Sequence, residues 1–177
     1  LLSGDSASDL STYSRTVTLS GGASISTAQK KYGSASFGFE SPGSVDVASG
    51  SELYLDGDFC IDAWVFLLSQ SNAYGAIVGS RAGVYGPGAD LIFAGGVGSG
   101  GNVNRLAAGG YALNAAGASL VTAPVALNTW YHIRLNRAGS TLRLFLDGTF
   151  QGSSTFSGVF NLSSGGGARV GRTAWDG

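Results

Sequence analysis

The sequence predicts an all-β fold, a two-sheet antiparallel sandwich with almost no helix, and three observations carry that prediction. The stretch Asn128 to Gly148, NTWYHIRLNRAGSTLRLFLDG, spells out an antiparallel hairpin. Trp130 to Arg137 and Thr141 to Asp147 both alternate with period two, about a short glycine-bearing loop, Ala138-Gly139-Ser140. Tyr131, Ile133 and Leu135 fall on one side of the first strand, and Leu142, Leu144 and Leu146 form the apolar set of the second; Trp130, His132, Arg134, Arg143 and Phe145 fall on the other side. The second observation is that no run keeps an i, i+3, i+4, i+7 apolar pattern through three turns without a glycine, which leaves room for a single helical turn near Ser51 to Leu53 and little more. The third is composition: 44% hydrophobic residues supply a two-sheet core, while the 30 glycines sit with Ser and Asn between strand-like runs, as turn chemistry does.

The elements follow in order from β-branched and aromatic runs bounded by turn residues. They are Thr16 to Leu19, Ser34 to Phe39, Ser44 to Val47, Phe59 to Leu68, Ala76 to Gly79, Asp90 to Ala94, Arg105 to Leu113, Ser119 to Thr122, the two hairpin strands, and Arg169 to Gly171. Asp147-Gly148 closes the hairpin with a second turn signal. From Gly79 to Gly101, two glycine-rich connections surround one short strand, and these loops should be the most exposed part of the molecule. No repeat of 20 to 50 residues is present.

The same hairpin resembles the laminin-G-like, concanavalin A-like jelly-roll domains, in which a W-(Y)-H-hydrophobic strand precedes a T-L-x-L-(F/Y)-hydrophobic-D/N-G strand. Ser26 to Ala48, STAQKKYGSASFGFESPGSVDVA, is similar to that family's opening KYG strand and the V-x-V strand after it. Asp58 to Val65, DFCIDAWV, is similar to its G-D-F-T-I-E-A-W-V strand, and Ala168 to Gly171 to its late R-I-G strand. Segments in the right order cover nearly the whole chain, so the resemblance implies a jelly roll of the concanavalin A-like lectin/glucanase architecture. That architecture hosts lectins, adhesion modules, glycosidases and passive decorations, so function must come from the site. Family members also close with an F-x-G-x-I-D-D-x-R-I strand, which this sequence, ending in Trp175-Asp176-Gly177, lacks. Together with a Leu1-Leu2 start and no methionine, this makes residues 1–177 a single domain expected to be a segment of a longer polypeptide without its closing strand. The edge left open is expected near Ser34 to Phe39 or Leu1-Leu2, for a neighbouring chain or a later segment to fill.

Charge excludes some partners. Only 12% of residues are charged and the formal net charge is −1, so nothing draws the chain to nucleic acid or to an anionic membrane, and no apolar run approaches the ~20 residues of a membrane-spanning helix. The single Cys60 cannot form an intrachain disulfide, and its place in a strand without local basic residues reads as a buried, unreactive thiol.

Catalytic and metal constellations are weak. Gly96-Val97-Gly98-Ser99-Gly100-Gly101 matches G-x-G-x-x-G, but Gly109-Gly110 interrupts the helix that should follow and no acidic residue lies between Asp90 and Asp147 to hold a ribose. A glycosidase needs paired carboxylates ~5 to 9.5 Å apart. The related glucanases carry an E-x-D-x-x-E strand, whereas this chain has only Glu40 and Glu52, in different segments, and an Asp56, Asp58, Asp62 group partly used in a turn. His132 is the sole histidine and no G-x-S-x-G elbow accompanies it, so a hydrogen bond across the sheet is its expected role. Calcium would need six to eight oxygen ligands, and Asp90 and Asp147 are the only candidates; no cofactor is expected.

What remains is the outward face of the hairpin: Trp130, His132, Arg134, Arg143 and Phe145 mix aromatic faces with planar donors, the chemistry that holds sugar rings and their hydroxyls. The expectation is a non-catalytic recognition module that binds a glycan or host-surface polysaccharide. The Ser/Thr/Gly-rich style is similar to laminin-G-like domains of phage and bacterial surface proteins, which implies an adhesion role on a virion surface or in another extracellular assembly. The alternatives are a structural decoration domain binding neighbouring protein chains, and a degenerate glycoside hydrolase-like domain.

Overall fold

The structure, a computed structural model, describes residues 2–68, 75–81, 91–95, 105–108 and 116–171. Two antiparallel sheets face each other. The larger has the order β10 (Leu120–Pro124), β9 (Arg105–Ala108), β8 (Leu91–Gly95), β7 (Gly75–Ser80), β15 (Gly167–Val170), β4 (Ser36–Ala48), β3 (Val17–Ser26). The smaller has the order β13 (Thr149–Thr155), β12 (Thr141–Leu146), β11 (Trp130–Ala138), β6 (Phe59–Phe66). Two short pairs flank them: β1 (Leu2–Ser3) with β2 (Ser8–Asp9), and β5 (Tyr54–Leu55) with β14 (Phe160–Asn161). This is the all-β, two-sheet antiparallel sandwich that the alternation predicts. The only helical turns among the described residues are 3-10, at Ser51–Leu53 and Ser164–Gly166.

Period two decides which residues enter the core. β11 and β12 pair from Ile133 opposite Leu146 to Ala138 opposite Thr141, and the inward Ile133, Leu135, Leu142 and Leu144 are fully buried. They pack with Val47, Leu106, Ala108 and Ala168 of the facing sheet. Each such side chain contributes roughly 1.5–3 kcal/mol of burial. The hairpin turn is one residue shorter than the loop expected: Ala138 is still paired, leaving Gly139-Ser140, with Gly139 at φ 57 and its N–H donating to Asp58 Oδ1 at 2.7 Å. Arg137 follows the inward alternation and is buried. Its guanidinium closes the end of the sandwich, with Nε donating to the Gly139 carbonyl (2.9 Å) and Nη1 to the Gly158 carbonyl (2.7 Å).

Several elements differ from expectation. The expected strands Ser34 to Phe39, from Ser36 on, and Ser44 to Val47 belong to one strand, β4, because the Ser41-Pro42-Gly43 break is absorbed as a bulge opposite Gly21, whose φ is 60. β13 has no counterpart in the sequence reading; TFQGSST is polar and glycine-broken, and it becomes a strand by pairing along β12. Cys60 is exposed, not buried, because the alternation that sends Phe59, Ile61, Ala63 and Val65 towards the core turns Cys60, Asp62, Trp64 and Phe66 outward. Of the expected strand Arg105 to Leu113, β9 covers the first residues and 109–113 lie outside the described part, as do Asp90, the Gly96 to Gly101 motif and Trp175-Asp176-Gly177. Among the described residues, Ser36 to Phe39 pair with Ile25, Ser26 and their neighbours on β3, and Leu2 pairs with Asp9. Among the described residues the outermost strands are β3 and β10 in the larger sheet, β6 and β13 in the smaller.

The two sides of the sandwich are closed differently. On one, Gln151 Oε1 accepts from the Ala123 N–H (2.7 Å) and the Ser154 hydroxyl donates to the Ala118 carbonyl (2.7 Å), stitching β13 to the β10 side. On the other, a cleft of about 960 Å³ opens along β6, with Ile61, Ala63 and Val65 facing Phe37, Phe39 and Val170.

Candidate functional site

The four-stranded sheet carries its candidate site on the outward face, as a grid fixed by strand register. Residues directly opposite on paired strands share a face and touch. Phe66 of β6 lies opposite Trp130 of β11; Trp64 opposite His132; Asp62 opposite Arg134, which is itself opposite Phe145 of β12; Cys60 opposite Asn136, which is opposite Arg143. All five residues singled out in the hairpin, Trp130, His132, Arg134, Arg143 and Phe145, therefore lie on one surface, and β6 adds a second row of chemistry beside them.

The grid is graded from aromatic to polar. At the aromatic end the Phe66 and Trp130 rings lie 5.3 Å apart, and Trp64 stacks on His132 at 5.0 Å with 28° between planes. Tyr32, from the segment before β4, meets Trp64 edge-on at 5.6 Å, and the Lys31 ammonium sits 4.3 Å from the Trp64 ring centre. Lys31, Trp64, Trp130, His132 and Asp147 line an open depression of about 480 Å³. Further along, Phe145 packs edge-on against the exposed Phe150 of β13 at 5.8 Å, and Arg143 is exposed.

Polar groups fix the rings. His132 makes the cross-sheet hydrogen bond expected of it, Nε2 to Asp62 Oδ2 at 3.0 Å, and its backbone N–H donates to Asp147 Oδ1 at 2.8 Å. Asp147 can take that position because the Asp147-Gly148 turn puts both residues at positive φ, 48 and 77, as a tight hairpin turn requires. Arg134 donates through Nε to Cys60 Sγ at 2.9 Å; that sulfur, and to a lesser degree Asp62, holds the guanidinium in its charged form more firmly than usual. The thiol thus has a basic neighbour, one that comes from a strand 74 residues away and not from its own. Among the described residues no three His, Cys, Asp or Glu side chains gather as a metal site; the carboxylate of Asp147 is engaged as above.

Lys31, Tyr32, Asp62, Trp64 and Phe66 were not singled out as site residues in the sequence. For β6 the signal was present: FCIDAWVF alternates, and its outward set is aromatic and polar, like that of β11. For Lys31 and Tyr32 no pattern in the sequence says that they lie over Trp64.

With the geometry in place, known proteins supply the frame. The family model Laminin_G_3, of the concanavalin A-like lectin/glucanases superfamily, matches residues 39–177. The chain belongs to this family. A search of curated proteins finds no match. Among solved structures this laminin-G-like domain is similar to the binding domain of Paraclostridial Mosquitocidal Protein 1, with TM-score 0.62 and 12% identity, over 97% of this chain and 42% of that one. It is also similar to domain 4 of AbnA, an extracellular GH43 arabinanase of Geobacillus stearothermophilus solved with arabinotriose, with TM-score 0.59 and 11% identity, over 90% and 74%. A carbohydrate-binding candidate from Bacteroides ovatus follows at TM-score 0.54 and 17% identity, over 75% of this chain and 36% of that one, so the domain spans about a third of that structure's length. At these identities the likeness is one of fold.

Proposed function

We propose that the domain is a non-catalytic glycan-binding module whose site is the outward face of the four-stranded sheet. The observation that carries this reading is the cluster of Phe66, Trp130, Trp64, His132 and Tyr32 around an open depression with Lys31 and Asp147 at its rim. Sugar rings stack their apolar C–H faces on such side chains, and their hydroxyls need donors and acceptors beside the rings. The fold is shared with an arabinanase domain solved with arabinotriose, which supports a saccharide ligand.

Catalysis is disfavoured on physical grounds. A glycosidic general acid needs a carboxyl whose pKa is lifted by an apolar pocket. Asp62 is about half exposed (54%) and Asp147 is exposed, and each already accepts a hydrogen bond from His132. The exposed Arg143 and Phe150 extend the face beyond one sugar, which suits a polysaccharide on a host surface. We assign the domain accordingly to adhesion in an extracellular or virion-surface assembly. A glycan array that includes arabino-oligosaccharides, probed with the intact domain and with Trp130→Ala, tests the reading. Binding to at least one glycan class that the variant loses is the expected result; no binding to any glycan by the intact domain would overturn it.

A further inference from the structure

The N-terminal hairpin grips, through one carboxylate, the turn that follows Lys31 and Tyr32. Asp5 lies at the tip between β1 and β2, and its Oδ1 accepts from the Ser34 N–H (2.6 Å), the Ser34 hydroxyl (2.8 Å) and the Ala35 N–H (2.9 Å). These bonds hold its carboxyl below the ordinary value, the Ser34 N–H first among them. At the same turn Gly33 has φ 68, the left-handed region that favours glycine, and a Cβ there would meet the Asp5 carboxylate. The hairpin also sits hard against the chain at Gly4, where a Cβ would come within 2.5 Å of Ser36 Cα. Immediately before the gripped turn come Lys31 and Tyr32, the two residues that stand over Trp64.

Tyr32 is 69% exposed and Lys31 is exposed, so neither is held in place by burial. Long exposed side chains on a free turn would sample many positions, at an entropic cost to any ligand that needs them ordered. We propose that Asp5 is a positioning residue of the glycan face: by clamping the Gly33–Ala35 turn it makes Lys31 and Tyr32 a fixed wall beside Trp64, and that wall sets which saccharides the depression admits. The inference rests on the glycan reading for its consequence, not for its geometry.

The test separates the two. In the sugar-free domain, the indole N–H resonances of Trp64 and Trp130 are compared between the intact chain, Asp5→Asn, Asp5→Ala and Tyr32→Ala. The Trp64 signal should shift in all three variants, and Trp130 should hold still. An unmoved Trp64 in both Asp5 variants would overturn the clamp. Global unfolding of both would overturn it equally, since the hairpin would then be holding the fold and not the wall. The same variants are then run on the glycan array and titrated with arabinotriose. Asp5→Asn should mirror Tyr32→Ala, with affinity roughly tenfold weaker or a changed glycan preference, the scale of one lost charge-assisted contact. Unchanged affinity and preference in every variant would overturn the wall as a specificity element. If the intact domain binds no glycan, the glycan reading fails while the Trp64 measurement still judges the clamp.

Discussion

The inward and outward faces of the β11–β12 hairpin come from alternate residues of one short stretch, yet they are built on different physical terms. Inward, Ile133, Leu135, Leu142 and Leu144 are fully buried, and their contribution comes from area removed from water. Outward, Trp130, His132 and Phe145 are only half-buried, Arg134 and Arg143 are exposed, and the His132 ring is held by stacking on Trp64 and a hydrogen bond to Asp62, its backbone N–H by Asp147. A fold needs the first face and tolerates change on the second. An ordered aromatic and polar grid on the tolerant side supports the proposal that it is a binding surface.

The comparison breaks most visibly at adjacent residues. Leu144→Ala should cost about 3 kcal/mol through lost burial and the cavity left behind, a fall in Tm of about 10 °C for a chain of this size. Its chain neighbour Arg143→Ala, pointing the other way, should stay within about 0.5 kcal/mol of the intact domain. Thermal melts of the pair decide it; equal destabilisation would mean that the outward face is also core. Arg137 sharpens the point because it is a charged residue on the inward side. Arg137→Ala strips two carbonyls of their donor and should cost about 2 kcal/mol, well above Arg143→Ala, in denaturant titration.

Acid provides a smaller effect. Asp5 and Asp9 both have folded pKa values below the ordinary 3.8, Asp5 mainly through the Ser34 N–H and Asp9 mainly through the Ser11 N–H. A depressed carboxylate contributes stability that is complete above its unfolded pKa and is lost as pH falls through its folded one. Melting should therefore be insensitive to these two groups from neutrality down to pH 3.8 and weaken below it. Asp5→Asn should lose less stability over that acid range than the intact chain; an identical acid limb would show that the Asp5 bonds carry no linkage.

The hairpin faces were legible in the sequence because period two needs no partner to be read: the alternation of Trp130 to Arg137 names its own core and its own surface. What lies beside that surface was not. His132 meets Asp62 across 70 residues, and Arg134 meets Cys60 across 74, which is why the basic neighbour of the thiol left no local trace; its exposure follows from the alternation of β6. Strand β13 escaped because a polar, glycine-broken edge strand carries no hydrophobic period, and its hydrogen bonds come from the neighbour. Lys31 and Tyr32 reach the site through a turn held by Asp5, a contact of side chain to backbone that leaves no periodic trace.

On the proposed function, the outward face of β6, β11 and β12 binds a glycan. An NMR titration of the isotopically labelled domain with the best glycan from the array tests it most directly. The claim predicts that the shifted signals gather on Trp64, Phe66, Trp130, His132 and the residues opposite them, with both indole N–H resonances moving, and that the seven-stranded sheet stays still. Shifts gathered instead on the seven-stranded sheet, or in the glycine-rich stretch from Gly79 to Gly101, with the Trp64 and Trp130 signals unmoved, would contradict it.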